Sequence, residues 1–325
     1  LSGAGYGALF LLGLGIALGA LPTQLELPHV WARFAAAGPL VADPRLALAL
    51  ALAAAALLAT IGLLFSLGHL GKPLRAWRAL SQWRSSWLSR EGVASLATYM
   101  PLLALFVLLL APRHTHPASM SVALRACGAL LCAGAAATVV CTAHIYASLQ
   151  PVRAWHDRHV VPAYLLLGLQ SGASWLVALA AIGIPARRWS VPLWLVNALL
   201  LAPCCAWIKR RYWHSIDAGV GTPGAGAATG LDRIGTVRSF EQPHTEENYL
   251  THEMGFVLAR RHSRRLRGFA LSAILLAPAA TLPLGWLAGW PAAWLAWAAG
   301  LLGLFVERWL FFAEAKHAVI AYYAR

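Results

Sequence analysis

Eight apolar runs, each close to the ~20 residues that carry an α-helix across a hydrocarbon core, occupy most of this chain. They span residues 5–21, 46–68, 92–111, 121–143 (with room to extend to Tyr146), 160–184, 191–208, 269–287 and 291–312. Inside lipid every backbone N–H and C=O must be satisfied within the protein, so only helices and closed barrels cross. Continuous apolar runs, rather than alternating ones, select the helix. Composition agrees: 59% of the 325 residues are hydrophobic and 12% are charged, against ~25% charged in an average soluble domain. A mean hydropathy of +0.63 is more apolar surface than a soluble chain of this length buries. Fifteen Trp and eight Tyr suit interfacial belts. The expected fold is all-α: a polytopic integral membrane protein with eight transmembrane helices in a single membrane domain, 1–325. Gly289, Trp290 and Pro291 predict a tight turn that makes the last two helices an antiparallel hairpin.

Eight crossings place both termini on one side. That side collects 20 of the 26 Lys and Arg residues. The other side holds six: Arg33, Arg45, Arg113, Arg125, Arg187 and Arg188. The segment between the sixth and seventh helices supplies ten of the 20, and long loops weigh little in the positive-inside rule. The short loops and tail still give ten against six. The basic side, with both termini, is therefore expected in the cytoplasm of a bacterial inner membrane. A net charge of +14 would suggest nucleic acid in a soluble chain. Here basic loops that meet lipid headgroups or an acidic partner explain it, and no nucleic acid is expected.

Residues 209–268 form the one long polar connection, on the basic side. Its stretch 219–224 is rich in Gly and marks flexible chain. From 230 to 262, Asp232, Glu241, His244, Glu246, Glu247, Asn248, Tyr249 and Glu253 mix with bases and aromatics. That mixture favours ordering against a partner subunit over a solvated tether. Cys127, Cys132, Cys141, Cys204 and Cys205 lie in apolar runs without metal-ligand spacing and read as small buried hydrophobes. Residues 9–21 lack a basic flank, so they read as the first membrane helix, with a trimmed N-terminus before Leu1, rather than as a leader.

The densest chemical signal follows the second helix. His69 ends that helix, Pro73 stops it, and Glu91 opens the third, so both titratable groups are expected at one membrane face. Between them Trp77, Trp83 and Trp87 interleave with Arg75, Arg78, Arg84 and Arg90, as suits a segment at headgroup level. A quinone site needs hydrogen-bond partners for ring oxygens and a titratable path to water, which His and a half-buried Glu supply. On spacing alone the alternative stands equally: Glu91 as an acid at a helix N-terminus, His69 as a C-terminal cap donor. His144 and His317 lie near the same side and, with His69, would be the haem-ligand candidates. No pair faces another deep in two helices, so haem is disfavoured. His114 and His116 are expected solvated, and His156, Asp157 and His159 are too few for a metal. Glu307 and Arg308 are charges at the end of an apolar run. They read either as functional groups, pairing with neighbours or with Arg75, or as an interfacial ion pair.

The run from His69 through Leu70, Gly71, Pro73 and Ala76, followed by Ser86-Trp87-Leu88-Ser89-Arg90-Glu91, resembles the DMSO reductase anchor-subunit family. Ile145, Tyr146 and Trp155 at the fourth helix exit, and Glu307, Arg308, Phe311 and Phe312 near the chain's end, agree with it. The resemblance implies a non-catalytic anchor that holds a molybdopterin catalytic subunit and a four-cluster, ferredoxin-like iron–sulfur subunit at the membrane. It implies electron passage between that subunit and ubiquinone or menaquinone, with the family's quinol-site His and Glu falling on His69 and Glu91. The expected quinone-binding set is His69, Glu91, Arg75, Gly71, Trp87, Arg90, His144 and Tyr146, with no metal ligand in this chain. Residues 243–249 and 253–256 resemble the anchors of membrane-bound sulfite dehydrogenases, whose catalytic subunits face the cytoplasm. Sulfite oxidation with quinone reduction is therefore expected. The alternatives are an anchor for an S- or N-oxide reductase oxidising menaquinol, and a purely structural anchor.

Overall fold

The computed structural model describes residues 1–19, 43–68, 72–111, 118–182, 187–218, 226, 229–231, 233–237 and 261–315. Among these the chain is helical throughout: α1 Ser2–Ala17, α2 Pro44–Leu67, a 3-10 helix Pro73–Gln82, α3 Trp87–Leu110, α4 Ala118–Ala147, α5 Val160–Ala181, α6 Arg187–Val196, a π segment Asn197–Leu201, α7 Ala202–Ala218, α8 Ser263–Ala288 and α9 Trp290–Ala313. Among the described residues seven helices are long and apolar enough to cross a membrane, with part of α6, the π segment and α7 joined as one of them. The chain is a multi-pass membrane protein. The eighth expected crossing, α1, has 16 residues. At ~1.5 Å per residue it falls short of a ~30 Å hydrocarbon core.

Local chemistry accounts for the ends. Ser86 caps α3, accepting from Ser89 N–H, so α3 begins five residues before the expected 92. Gly19 at φ +64 closes α1, and Gly289 at φ +80 makes the turn between α8 and α9, conformations that cost a side chain strain. The π segment lies just before α7, whose second residue is Pro203; in a regular helix that ring would crowd the carbonyl four residues back, inside the π segment. Prolines inside α8 strip carbonyls of their donors, and side chains from neighbouring helices replace them. Gln170 Nε2 donates to Ile274 O, four residues before Pro278, at 2.6 Å. Trp194 Nε1 donates to Ala279 O, four before Pro283, at 3.2 Å. This is how membrane helices tolerate proline.

Helix α5 is the hub: 78% of its apolar window is buried inside the protein, against 28–44% for the other six spans. Helices α1, α2, α3 and α4 pack together on one side of it, and α7, α8 and α9 on the other. Small residues permit the closest approaches. A Cβ at Gly7 would overlap the Gly168 carbonyl, and one at Gly172 would overlap the backbone of Gly7 and Ala8. Tight backbone contact of this kind is what helix association in lipid relies on.

Candidate functional site

Between the two groups of helices lies a cavity of about 750 Å³, bounded by α1, α2, α3 and α4, by α5, and by α9. Its lining is mostly apolar. The polar members include Glu91 on α3, Thr142 and Tyr146 on α4, Tyr164 on α5, and Glu307 and Arg308 on α9. Leu88, Leu302 and Phe305 line it while remaining half or more exposed, so one side of the cavity faces the surface that lipid would cover. All six polar groups sit within about two turns of helix ends that share one side of the bundle.

Glu91 is held from α4. Thr142 Oγ1 donates to its Oε1 at 2.6 Å and stands 2.9 Å from its own helix's Thr138 O. Thr138 in turn faces Thr98 Oγ1 across the α3–α4 seam at 3.5 Å. With Oε1 fixed as an acceptor, Oε2 is the oxygen that can carry a proton.

The opposite wall carries a buried ionic triad. Glu307 Oε1 meets Lys209 Nζ at 2.5 Å, and Arg308 Nε and Nη2 donate to the same carboxylate at 2.5 and 2.7 Å. Lys209 and Glu307 are 1% and 0% exposed, whereas Arg308 keeps 29%, so Arg308 is the member that reaches open space. Its guanidinium lies over the Tyr164 ring at 4.3 Å and the Phe311 ring at 4.9 Å. Lys209 Nζ lies 3.9 Å from the Tyr212 centroid. Tyr146 packs edge-on against Trp155, Phe311 and Phe312, within electrostatic range of both Glu91 and Arg308.

The connection from α4 to α5 is pinned beside this wall. Trp155 Nε1 donates to Phe311 O at 3.0 Å and Tyr212 Oη to Ala154 O at 3.1 Å. Asp157 accepts from His159 N–H, the His159 ring and Ser215 Oγ. Burial alone would raise the Asp157 pKa, but these hydrogen bonds outweigh it and hold the carboxyl below its ordinary value. At the end of α9, Arg267 bridges Asp217 and Glu314. Burial nevertheless lifts the Glu314 carboxyl above its ordinary value.

The family model of the DMSO reductase anchor subunit (DmsC) matches residues 43–220. A sulfite dehydrogenase subunit from Allochromatium vinosum is 33% identical over 287 residues, 83% of this chain and 83% of that protein. The chain belongs to the DMSO reductase anchor-subunit family. No solved structure matches it. The family match takes in the anchor's Glu91, Thr142, Tyr146, Tyr164 and Lys209 and stops short of α8 and α9.

Of the anchor residues expected from sequence, Glu91 and Tyr146 line the cavity. Trp87, Arg90 and His144 form a stack that does not line it. The His144 ring lies 4.4 Å from Trp87, and the Arg90 guanidinium 4.3 Å over the same indole. Arg90 is committed to the backbone, donating to Trp83 O at 3.0 Å and Arg84 O at 2.6 Å, which ties the turn after the 3-10 helix to α3. His144 Nδ1 contacts Val140 O at 2.9 Å. Arg75 is exposed on the 3-10 helix. His69, Gly71 and His317 lie outside the described residues, as do His114, His116 and 238–260.

Three expectations need correction. Glu91 does not open α3; it sits in the second turn, and the first turn holds no acid, so the dipole alternative loses its geometry. Lys209 is not a loop charge, because α7 runs on to Ala218, and with α8 starting at Ser263 part of 209–268 is helical. Glu307 is not an interfacial ion-pair member, nor a partner of Arg75; it is fully buried between Lys209 and Arg308. Sequence reasoning missed Lys209 and Tyr164 as site residues. Its flag on charges in an apolar run did find Glu307 and Arg308.

Proposed function

We propose that this chain is the quinone-reactive membrane anchor of a three-subunit oxidoreductase. It passes electrons between an iron–sulfur subunit and the quinone pool, with a molybdopterin subunit oxidising sulfite. The single observation that carries the reading is the mainly apolar, lipid-side cavity with an oriented carboxyl at one wall and a cation at the other. Its volume lies within the range of small-molecule sites, ~300–1,000 Å³. The relative's description as a sulfite dehydrogenase subunit supports the electron source.

A quinone bound there would supply a two-electron, two-proton acceptor. The chain's residues do the rest. Glu91, pinned by Thr142, delivers or takes a proton at Oε2, with His69 as the expected second hydrogen-bond partner. The apolar lining excludes water and admits an isoprenoid tail between Leu88 and Phe305. Arg75 and the basic 3-10 helix, together with the polar connection between α7 and α8, face the iron–sulfur partner. In this reading α1 is the eighth crossing, packed against α2, α4 and α5. Both termini and the docking face are then on the cytoplasmic side of a bacterial inner membrane.

The family's description favours a second reading, in which the anchor oxidises menaquinol for an S-oxide reductase. Purifying the intact complex identifies its large subunit and tests sulfite:quinone against quinol:S-oxide turnover. Glu91→Gln and His69→Ala should each lower quinone-coupled turnover at least about tenfold while leaving sulfite oxidation with a soluble dye acceptor intact. Unchanged quinone-coupled turnover in both would remove the site assignment.

A further inference from the structure

We propose that Arg308, braced by Glu307 and Lys209 and flanked by Tyr164, is the second binding pole of the cavity: it donates hydrogen bonds to the quinone ring oxygen farther from Glu91. The inference rests on the quinone reading above, and its central residues, Arg308 and Glu307, lie outside the portion of the chain that the family match covers.

Four observations carry it. Arg308 and Glu91 line the same cavity from opposite sets of helices, so a ring lying between them meets a carboxyl at one edge and a guanidinium at the other. Two donor nitrogens of Arg308, Nε and Nη2, are held by Glu307, so Nη1 is the guanidinium nitrogen that Glu307 does not hold, on a side chain that lines the cavity. The carboxylate of Glu307 is shared with Lys209, so the triad keeps one net positive charge instead of cancelling it. A positive charge at a dry wall favours the oxygen that gains electron density when the ring is reduced. Tyr164, under the guanidinium at 4.3 Å, prevents Arg308 from folding back onto α5. Glu307 and Lys209 are positioning residues: both are buried from solvent, and they act by holding Arg308 in place.

The test uses the purified full complex carrying Arg308→Gln, Arg308→Lys or Tyr164→Leu. Binding of decylubiquinone is followed by quenching of intrinsic Trp fluorescence, native quinone and phospholipid are quantified by extraction, and kcat and KM are separated. Arg308→Gln should weaken decylubiquinone binding about tenfold to a hundredfold. Arg308→Lys, which keeps the charge and loses the fork, should fall between it and wild type. Glu91→Gln should lower kcat with little change in binding. Should Arg308→Gln fail to assemble, Arg308→Lys and Tyr164→Leu, which removes the ring under the guanidinium, decide, and wild-type affinity in both overturns the proposal. So does an anionic phospholipid that leaves with the Arg308 charge while quinone affinity stays constant. A wild-type complex that neither retains nor binds any quinone overturns the underlying quinone reading instead.

Discussion

Replacing Glu307 by Gln should harm the protein far more than replacing its partner Lys209 by Met. The triad comprises two cations and one carboxylate, with Lys209 and Glu307 both sealed from solvent. Glu307→Gln leaves two neighbouring cations without a counter-ion, and an uncompensated buried charge costs ~3–5 kcal/mol. Lys209→Met leaves the neutral Glu307–Arg308 pair intact. It forfeits the ammonium's contacts with the Tyr212 and Trp213 rings, at 3.9 and 4.9 Å, but also removes a desolvated charge. Its net cost should stay within about 1 kcal/mol. At ~2–4 °C per kcal/mol, Glu307→Gln should lower the apparent Tm of the detergent-purified complex by roughly 6–20 °C and Lys209→Met by about 4 °C at most. The double variant leaves only Arg308, which already touches open space, and should recover about half of the Glu307→Gln loss. Equal losses in the two single variants, or a double variant equal to their sum, would refute the shared-carboxylate argument.

Thr142→Val removes the donor that orients Glu91 and should slow quinone-coupled turnover about fivefold with native quinone content unchanged, measured by steady-state assay and extraction. Asp157 has a depressed pKa, so its stabilisation is complete above the ordinary value of 3.8 and fades as pH falls through the lower, folded-state value. Asp157→Asn should therefore melt earlier than wild type at neutral pH, with the gap closing in acid. Gln170→Leu strands the Ile274 carbonyl beneath Pro278 and should cost ~1–3 kcal/mol in chemical denaturation of the complex. Gly172→Leu should separate α1 from α5 and reduce recovery of assembled complex, whereas Gly268→Ala, with open space around it, should not.

The helices were readable because lipid leaves the backbone no alternative, and an apolar run of ~20 residues marks each span. Their ends were not, because hydropathy fades at headgroup level while the helix continues. Trp87 to Arg90 look interfacial, yet Ser86 caps a helix that includes them, which moves Glu91 one turn inward. The charge of Lys209 closed an apolar run at Ile208, although α7 continues to Ala218. Its partner Glu307 lies on α9, and no local pattern announces so distant a pairing. Tyr164 near the start of α5 reads as one more belt aromatic, and only the position of Arg308 over its ring makes it part of the cavity wall. Glu307 and Arg308 were legible as site candidates because charges within an apolar run are rare without a reason.

The triad is costly, and its cost bears on its role. Even paired, each buried ion gives up several kcal/mol of hydration, and apolar side chains of similar volume would stabilise the bundle at least as well. An arginine near the lipid edge, left alone, would extend toward water and carry its charge out of the cavity. Glu307 opposes that by holding Nε and Nη2, and Lys209 anchors Glu307 from a different helix. The guanidinium is thereby fixed to the α7–α9 side of α5, while Thr142 fixes Glu91 to the α3–α4 side. Neither half of the bundle contains both walls. The cavity comes into being only where the halves meet across α5, so the small-residue contacts that close this seam, Gly7 against Gly168 among them, help to set its shape.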